Sequence, residues 1–257
     1  MNHLENKGGV NYSVNTEGIG IIEFWHPASN ALPASVLNDL AETIQRASED
    51  NDCKVILLKS KGNRAFCAGA SFDELIAIDN ERAGLEFFSG FSKVILSIRK
   101  SEKFVICRVQ GKAVGGGVGI AAAADFTYAT KHASVKLSEL AIGIGPFVVG
   151  PAVERKVGKG AYTAMAIDAT TWYGAAWAEQ HGLFAKVFED EKDLDEAVES
   201  LTQKLALSSP QAMTELKRVF WEGTDDWEAL LPERAAISGR LVLSEFTREA
   251  IKRFKGK

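Results

Sequence analysis

Hydrophobic and polar positions along the chain predict strands alternating with helices in its first part. Short apolar, β-branched runs are typical of buried strands, and they occur at 18–25, 54–60, 104–110 and 126–130. Apolar residues between 35 and 48 recur at helical spacing, which predicts a helix with Ser35 as its N-cap. One or two helices over 71–99 and a short buried helix over 116–124 follow from the same pattern.

The helical pattern dominates beyond about residue 160. Helices are predicted at 161–168, 174–182, 194–207, 210–221 and 227–254. Because strands alternate with helices early and helices run together late, the chain is expected to form an α/β core, residues 1–195, followed by a helical region, residues 196–257, within one functional unit. The helical region is interpreted as a lid, a subunit interface or both. An interface is favoured because its large apolar residues give more apolar surface than one shell of helices needs, namely Trp221, Trp227, Leu230, Leu231, Leu241 and Leu243. The alternative is that they pack on the chain's own core.

Composition limits the classes of protein to which this chain can belong. The 257 residues carry 30 basic and 34 acidic side chains, and this net charge of −4 argues against an extended basic surface for nucleic acid. Three cysteines without a CxxC spacing argue against a disulfide framework or a zinc cluster and favour the reducing cytoplasm. The N-terminal segment MNHLENKGGVNYSV contains no apolar stretch, so a secretory leader is not expected. No apolar run reaches the roughly 18 residues that span a bilayer, so no membrane partner is expected.

Two glycine-rich segments directly follow predicted strands. They read AFCAGASFDE at 65–74 and KAVGGGVGIAAAAD at 112–125. Small residues at a strand-to-helix junction let a ligand approach the backbone, and the start of the next helix supplies free N–H groups. Two such junctions could aim two N–H groups at one oxygen atom and form an oxyanion hole. The alternative is that the glycines serve only tight packing.

A nucleotide-binding interpretation of the second segment is weaker. Gly117 and Gly119 fit a loose G-x-G-x-x-A pattern, and Glu139 follows 20 residues after Gly119. However, six residues separate the strand end at Gln110 from Gly117, whereas the dinucleotide fingerprint needs a tight turn directly after its strand. A nicotinamide-dependent oxidoreductase is therefore a remote alternative.

Glu139 is the candidate acid. It lies in SELAIGIGP, where apolar residues and glycines would desolvate the carboxylate and raise its pKa toward a value useful for proton transfer. The alternative is a surface carboxylate at a helix start beside Ser138. The four histidines form no recognisable triad or metal-binding pattern, and Cys67 is interpreted as a small buried filler rather than a nucleophile.

The segments at 65–74, 110–126 and 138–146, in this order and spacing, resemble the enoyl-CoA hydratase/isomerase family, the crotonases. AEQHGL at 178–183 is similar to that family's A-E-x-x-G-L segment. The resemblance implies an α/β crotonase-like superhelix of ββα units with C-terminal helices that form a homotrimer or a dimer of trimers. It also implies an enzyme of fatty acid metabolism whose acyl-CoA is a substrate, without a resident cofactor or metal.

The resemblance assigns the family's site residues to matching positions of this chain. The resemblance places the thioester oxygen between the N–H groups of Ala70 and Gly116, with Glu139 as the acid. The positions that match the family's substrate and CoA contacts are Arg64, Ala68, Ala70, Ser71, Phe72, Asp73, Gly116 and Gly119. Arg64 matches a basic position that faces a CoA phosphate.

The chain departs from the family's hydratases at one acid. Those enzymes hold a water with two glutamates, and the first of them falls on Gly119 here, while the second falls on Glu139. An oxyanion hole with one carboxylate favours double-bond isomerisation, and Gly119 is expected to leave space for a larger or branched acyl group. Hydration or dehydration stays an alternative, as does dehydration or decarboxylation of carrier-protein thioesters. Asp73 or Glu74 could replace the missing acid, although a surface role is favoured for both.

Overall fold

The computed structural model describes residues 7–255. Its strands are β1 (Gly9–Val14), β2 (Ile19–Trp25), β3 (Ala31–Leu32), β4 (Val55–Ser60), β5 (Ala65–Cys67), β6 (Gly69–Ala70), β7 (Val105–Val109), β8 (Lys112–Val114), β9 (Phe126–Thr130), β10 (Ser134–Lys136), β11 (Tyr173–Gly174) and β12 (Lys186–Phe188). Its helices are α1 (Ala34–Glu49), α2 (Phe72–Ala77), α3 (Glu81–Lys100), α4 (Gly116–Ala123), α5 (Gly150–Ile167), α6 (Ala175–Gln180), α7 (Glu191–Ala206), α8 (Pro210–Phe220), α9 (Trp227–Leu241) and α10 (Glu245–Lys255). A short 3₁₀ turn spans Glu139–Ile142.

Two larger sheets organise the strands. The first has the order β1-β2-β4-β7-β9-β12; β1 is antiparallel to β2, and the remaining pairs are parallel. The second has the order β11-β10-β8-β5, and a two-strand ladder joins β3 to β6. The predicted α/β class is confirmed, and the four predicted strands correspond to β2, β4, β7 and β9.

The six-stranded sheet is buried on both faces. Along β4, Ile56 and Leu58 belong to the main core with α1 and α3, whereas Val55 and Leu57 join the cluster that contains Met213 of α8. This period of two is what a pleated strand imposes on its side chains. A strand covered on both faces reads as a continuous apolar run, and that is why β4 and β7 were recognisable in the sequence.

Several boundaries differ from the predictions. Ser35 is not the N-cap of α1: the helix begins after Pro33, and Glu74 Oε2 accepts a hydrogen bond from the N–H of Ala34 at 2.8 Å. A side chain 40 residues away therefore does the capping. The early strand β1 was not predicted, because its half-exposed GVNYSV sequence carries no apolar run.

The helical region also differs in detail. The single helix predicted over 227–254 is two helices, α9 and α10, with a break between Leu241 and Glu245. Helix α5 begins at Gly150 rather than near residue 161, and Gly158 interrupts it at φ 78°. The proposed boundary after residue 195 falls within α7, which packs on the six-stranded sheet.

The tryptophans expected to supply subunit surface are instead part of the chain's own core. Trp221, Trp227 and Leu231 are buried in the main cluster, which corrects that expectation. Exposed apolar side chains of this region include Leu216, Val219 and Phe220 on α8, Leu207 just after α7 and Phe246 on α10. The three cysteines are buried free thiols. Within residues 7–255, every helix is too short or too polar to cross a bilayer.

Candidate active site

The four-stranded sheet brings the two glycine-rich segments together. Strands β5 and β8 are parallel neighbours, with Ala65 opposite Lys112 and Cys67 opposite Ala113. Parallel strands end at the same edge of a sheet, so the segments that follow them lie side by side. A Cβ atom on Gly117 would lie 2.5 Å from the carbonyl oxygen of Cys67, so only glycine permits this approach.

A cavity of about 460 Å³ opens where these segments meet. Of the residues carried over from the family, it is lined by Ala68, Ala70, Phe72, Gly116 and Glu139. The others, namely Arg64, Ser71, Asp73 and Gly119, do not line it. Apolar side chains form most of the wall, and electrostatic interactions are stronger beside an apolar wall than in bulk water.

Gly116 is the first residue of α4, a helix whose residues are all buried. The N–H groups in the first turn of a helix have no acceptor within that helix. The preceding Gly115 adopts φ 50° and donates its own N–H to the carbonyl oxygen of Lys136 at 2.9 Å. A Cβ atom on Gly116 would lie 2.2 Å from the ring of Phe91, so the backbone reaches this place only as glycine.

Ala70 belongs to the other glycine-rich segment. It follows Gly69, which has φ 92° and lies against the carbonyl oxygen of Val114. Both Ala70 and Gly116 line the cavity. The use of their two N–H groups as an oxyanion hole is taken up below as part of the proposal.

Glu139 opens the 3₁₀ turn and extends its carboxylate against Gly115. A Cβ atom on Gly115 would lie 2.8 Å from Glu139 Oε1, so the glycine makes room for the carboxylate. Oε2 is buried and has no hydrogen-bond partner in the described chain. Burial raises the pKa of Glu139 to about 7. A carboxyl group with this pKa can take up or release a proton near neutral pH.

The expected space beside Gly119 does not exist. A Cβ atom on Gly119 would lie 2.5 Å from Val149 Cγ1 and 3.6 Å from Ile95 Cδ1, so Val149 fills the place where the family's hydratases carry their first glutamate. The expectation that a branched acyl group fits there is wrong. The same packing weakens the nucleotide-binding alternative, because Gly117 and Gly119 both face protein atoms.

Neither Asp73 nor Glu74 faces the cavity. Asp73 is exposed, and Glu74 uses Oε2 to cap α1 while its N–H donates to Ser71 Oγ at 3.4 Å. Glu139 is therefore the one carboxylate that lines this cavity in the part of the chain that the structure describes. Cys67 is fully buried, and burial raises the pKa of its thiol to about 12, as suits a packing role.

Two features of the cavity were not predicted from the sequence. One is an aromatic wall on α3, formed by Phe87, Phe88 and Phe91. Its helical spacing was visible, but an aromatic stripe on a helix usually packs in a core. The other is the pair Lys136 and Trp172, which also lines the cavity. Only strand pairing brings these two residues together, so no local signal marked them.

The sheet topology is that of the crotonase fold, as two solved structures show. An enoyl-CoA hydratase from Bacillus halodurans superposes with a TM-score of 0.87 over 95% of this chain and 99% of its own, at 19% identity. An enoyl-CoA hydratase from Mycobacterium avium superposes with a TM-score of 0.85 over 100% of this chain and 97% of its own, at 25% identity.

A match to a family model identifies the particular family. The enoyl-CoA hydratase/isomerase family model matches residues 15–256, and the chain belongs to this family. Among its relatives, the carnitinyl-CoA dehydratase of Escherichia coli (strain K12) is 29% identical over 76% of this chain and 73% of its own length. The resemblance found in the three sequence segments is thus confirmed at the level of the family.

Proposed function

We propose that this chain is an enoyl-CoA isomerase that moves a carbon–carbon double bond through an enolate. The observation that carries this proposal is that, within residues 7–255, Glu139 is the one carboxylate lining the cavity and its buried Oε2 has no hydrogen-bond partner. The acyl-CoA is the substrate, and no resident cofactor is invoked. The N–H groups of Ala70 and Gly116 are assigned to the thioester oxygen.

One carboxylate can perform both proton transfers. Glu139 removes a proton from C2 of a 3-enoyl thioester, and the electron pair moves onto the thioester oxygen as the enolate forms. The two N–H donors stabilise the negative charge on that oxygen. The protonated Glu139 then returns the proton to C4, and the double bond lies between C2 and C3. A pKa of about 7 lets the same group serve as base and then as acid.

Hydration or dehydration is the second candidate, because relatives carry hydratase and dehydratase names. That chemistry must hold a water molecule as well as move a proton. A bound water needs two to four polar partners. Val149 fills the place beside Gly119, so Glu139 is the one carboxylate among the described lining residues that could activate the water. The geometry therefore favours isomerisation.

The test compares a 3-enoyl-CoA with a 2-enoyl-CoA in the same buffer. Isomerisation of the first is expected to be faster than hydration of the second. Glu139→Gln keeps the shape of the side chain and is expected to lower turnover by about 10²–10⁴. Glu42→Gln, at an exposed carboxylate of α1 that does not line the cavity, is the matched control and should retain wild-type rates. Faster hydration than isomerisation by the wild type would overturn the isomerase assignment.

We also propose that the chain assembles as a trimer or a dimer of trimers, through the exposed apolar face of α8. Leu216, Val219 and Phe220 are each about half exposed on this helix, at 48%, 56% and 51%. Burial of such side chains in an interface would be favourable. Sedimentation should show an oligomer for the wild type, and Val219→Lys should shift it toward the monomer. A wild-type monomer at micromolar concentration would contradict this assembly.

A further inference from the structure

Two lysines and a tryptophan form a cluster at one side of the cavity. Lys112 Nζ lies 4.9 Å, and Lys136 Nζ 4.6 Å, from the centroid of one of the Trp172 rings. Trp172 is 40% exposed, and both Lys136 and Trp172 line the cavity. We call this the Lys112–Trp172–Lys136 cluster. Cation–π contacts of this kind hold an ammonium group in place without neutralising its charge.

The two ammonium groups of the cluster have no acidic partner among the described residues. Across residues 7–255, neither Lys112 nor Lys136 forms an ion pair or a hydrogen bond through its ammonium group. Each ammonium group lies within 5 Å of a ring centroid of Trp172, so the two positive charges share one indole. Asp168, on the chain just before Trp172, accepts a hydrogen bond from Thr170 Oγ1 and pairs with neither lysine. An anion between the lysines would relieve their repulsion.

Strand order places the cluster relative to the proposed chemistry. The sheet runs β5, β8, β10, β11, and the cavity residues follow in the same order: Ala70 after β5, Gly116 after β8, Glu139 after β10 and Trp172 before β11. Neighbouring strands are about 4.8 Å apart. Across the sheet, Trp172 therefore comes next after Glu139 on the side away from the oxyanion donors. An acyl chain that starts at Ala70 and Gly116 and passes Glu139 points its far end at the cluster.

We propose that the Lys112–Trp172–Lys136 cluster binds a carboxylate at the distal end of the acyl chain, so that the preferred substrates are enoyl-CoA esters of dicarboxylic acids. This inference rests on the proposed function, since it needs an acyl thioester in the cavity. The carboxylate would accept hydrogen bonds from Lys136 at the cavity wall and interact with Lys112 at its mouth. The indole of Trp172 would cover the last methylene groups.

The experiment measures kcat/KM for carboxylate-ended and methyl-ended 3-enoyl-CoA substrates of equal carbon number, in a short series of chain lengths. At the best length the wild type is expected to prefer the carboxylate by about 10- to 100-fold, the usual worth of a hydrogen bond to a charged group. Lys136→Gln should lower that ratio by a similar factor, and Lys136→Arg should retain most of it. Lys159→Gln, at an exposed lysine of α5, is the matched control and should leave the ratio unchanged.

A wild-type ratio near one at every length, or a ratio that Lys136→Gln does not change, would overturn the inference. The other source of an anion is a phosphate of the CoA arm, and N-acetylcysteamine thioesters of the same acyl groups lack it. If Lys136→Gln weakens both CoA substrates equally and leaves both short thioesters unaffected, the cluster binds phosphate and the carboxylate assignment is wrong. If the wild type turns over none of them, the proposed function fails, and calorimetric binding of the same pair still tests the cluster.

Discussion

Asp125 and Glu139 are two carboxylates withdrawn from water in the same molecule, and they differ in the number of hydrogen-bond donors around them. Asp125 has a side chain that is 6% exposed, and both of its oxygens accept hydrogen bonds. Oδ1 accepts from Trp221 Nε1 at 2.8 Å, and Oδ2 accepts from Lys217 Nζ at 2.8 Å and from the N–H of Val105 at 2.7 Å. These bonds attach α8 to the start of β7.

Glu139 has no such partners at Oε2, although this oxygen is equally withdrawn from water. A buried carboxylate that is fully hydrogen-bonded holds elements of the fold together. One left without a partner lowers stability when ionised, because desolvation favours its neutral form. The number of hydrogen-bond donors to a carboxylate, rather than its burial, therefore distinguishes a structural carboxylate from one suited to proton transfer.

The largest effect is expected at Lys217. Lys217→Met keeps the apolar stem on α8 but leaves the Asp125 carboxylate buried with one charge partner removed. Removing one member of a buried pair typically costs about 3–5 kcal/mol. Chemical denaturation should therefore show a large drop in the free energy of unfolding.

Arg218→Met is the matched control for Lys217→Met. Arg218 is the next residue of α8 and pairs with Glu215 at the surface, where an ion pair is worth about 0–1 kcal/mol. The double variant Asp125→Asn/Lys217→Met should recover part of the loss, since the unpaired charge is gone. Equal destabilisation by the two single variants would show that the buried pair has no special role.

The second prediction concerns Glu139 and the dependence of stability on pH. Its pKa is about 7 in the folded chain and 4.5 ordinarily, so between these values the unfolded chain loses the proton that the folded chain keeps. The contribution of this group to the free energy of unfolding therefore falls as pH rises from 4.5 to 7, by about 3 kcal/mol at most, and is constant above 7.

Glu139→Gln removes this titration. Relative to wild type, the variant should gain stability between pH 5 and pH 8, in a denaturation series at fixed ionic strength. Asp73→Asn should show no comparable gain, because Asp73 is exposed. A difference between Glu139→Gln and wild type that does not grow with pH would mean that the carboxylate ionises as freely when folded as when unfolded.

The two carboxylates also show how far the sequence could predict the fold. Strands β4 and β7 and helices α1, α7 and α8 carried their own periodicity, and the structure has them within a few residues of the predicted bounds. The capping of α1 by Glu74 and the attachment of α8 through Asp125 depend on contacts across 40 and more residues. No local pattern contains that information.

The candidate site divides in the same way. The glycine-rich segments after β5 and β8 marked the cavity wall, because glycine composition and strand ends are local features. The sequence left Glu139 undecided between burial and the surface, and packing around Gly115 decided it. The space expected beside Gly119 was inferred only from the missing side chain of the glycine. Val149, which occupies that space, lies 30 residues later in the chain, so no local pattern revealed it.

The smallest effect is expected at Trp221, the neutral donor to Asp125. Trp221→Phe removes the Nε1–H bond while the other two donors, Lys217 and Val105, stay in place. The phenyl ring keeps much of the packing against Trp227, whose ring centroid lies 5.7 Å away. The loss is expected to be about 1–2 kcal/mol. It should be smaller than that of Lys217→Met in the same denaturation experiment, because a carboxylate with one charged and one backbone donor is still compensated. If Trp221→Phe costs as much as Lys217→Met, then the three bonds act as one unit, and the double variant will be less destabilised than the sum of the two losses.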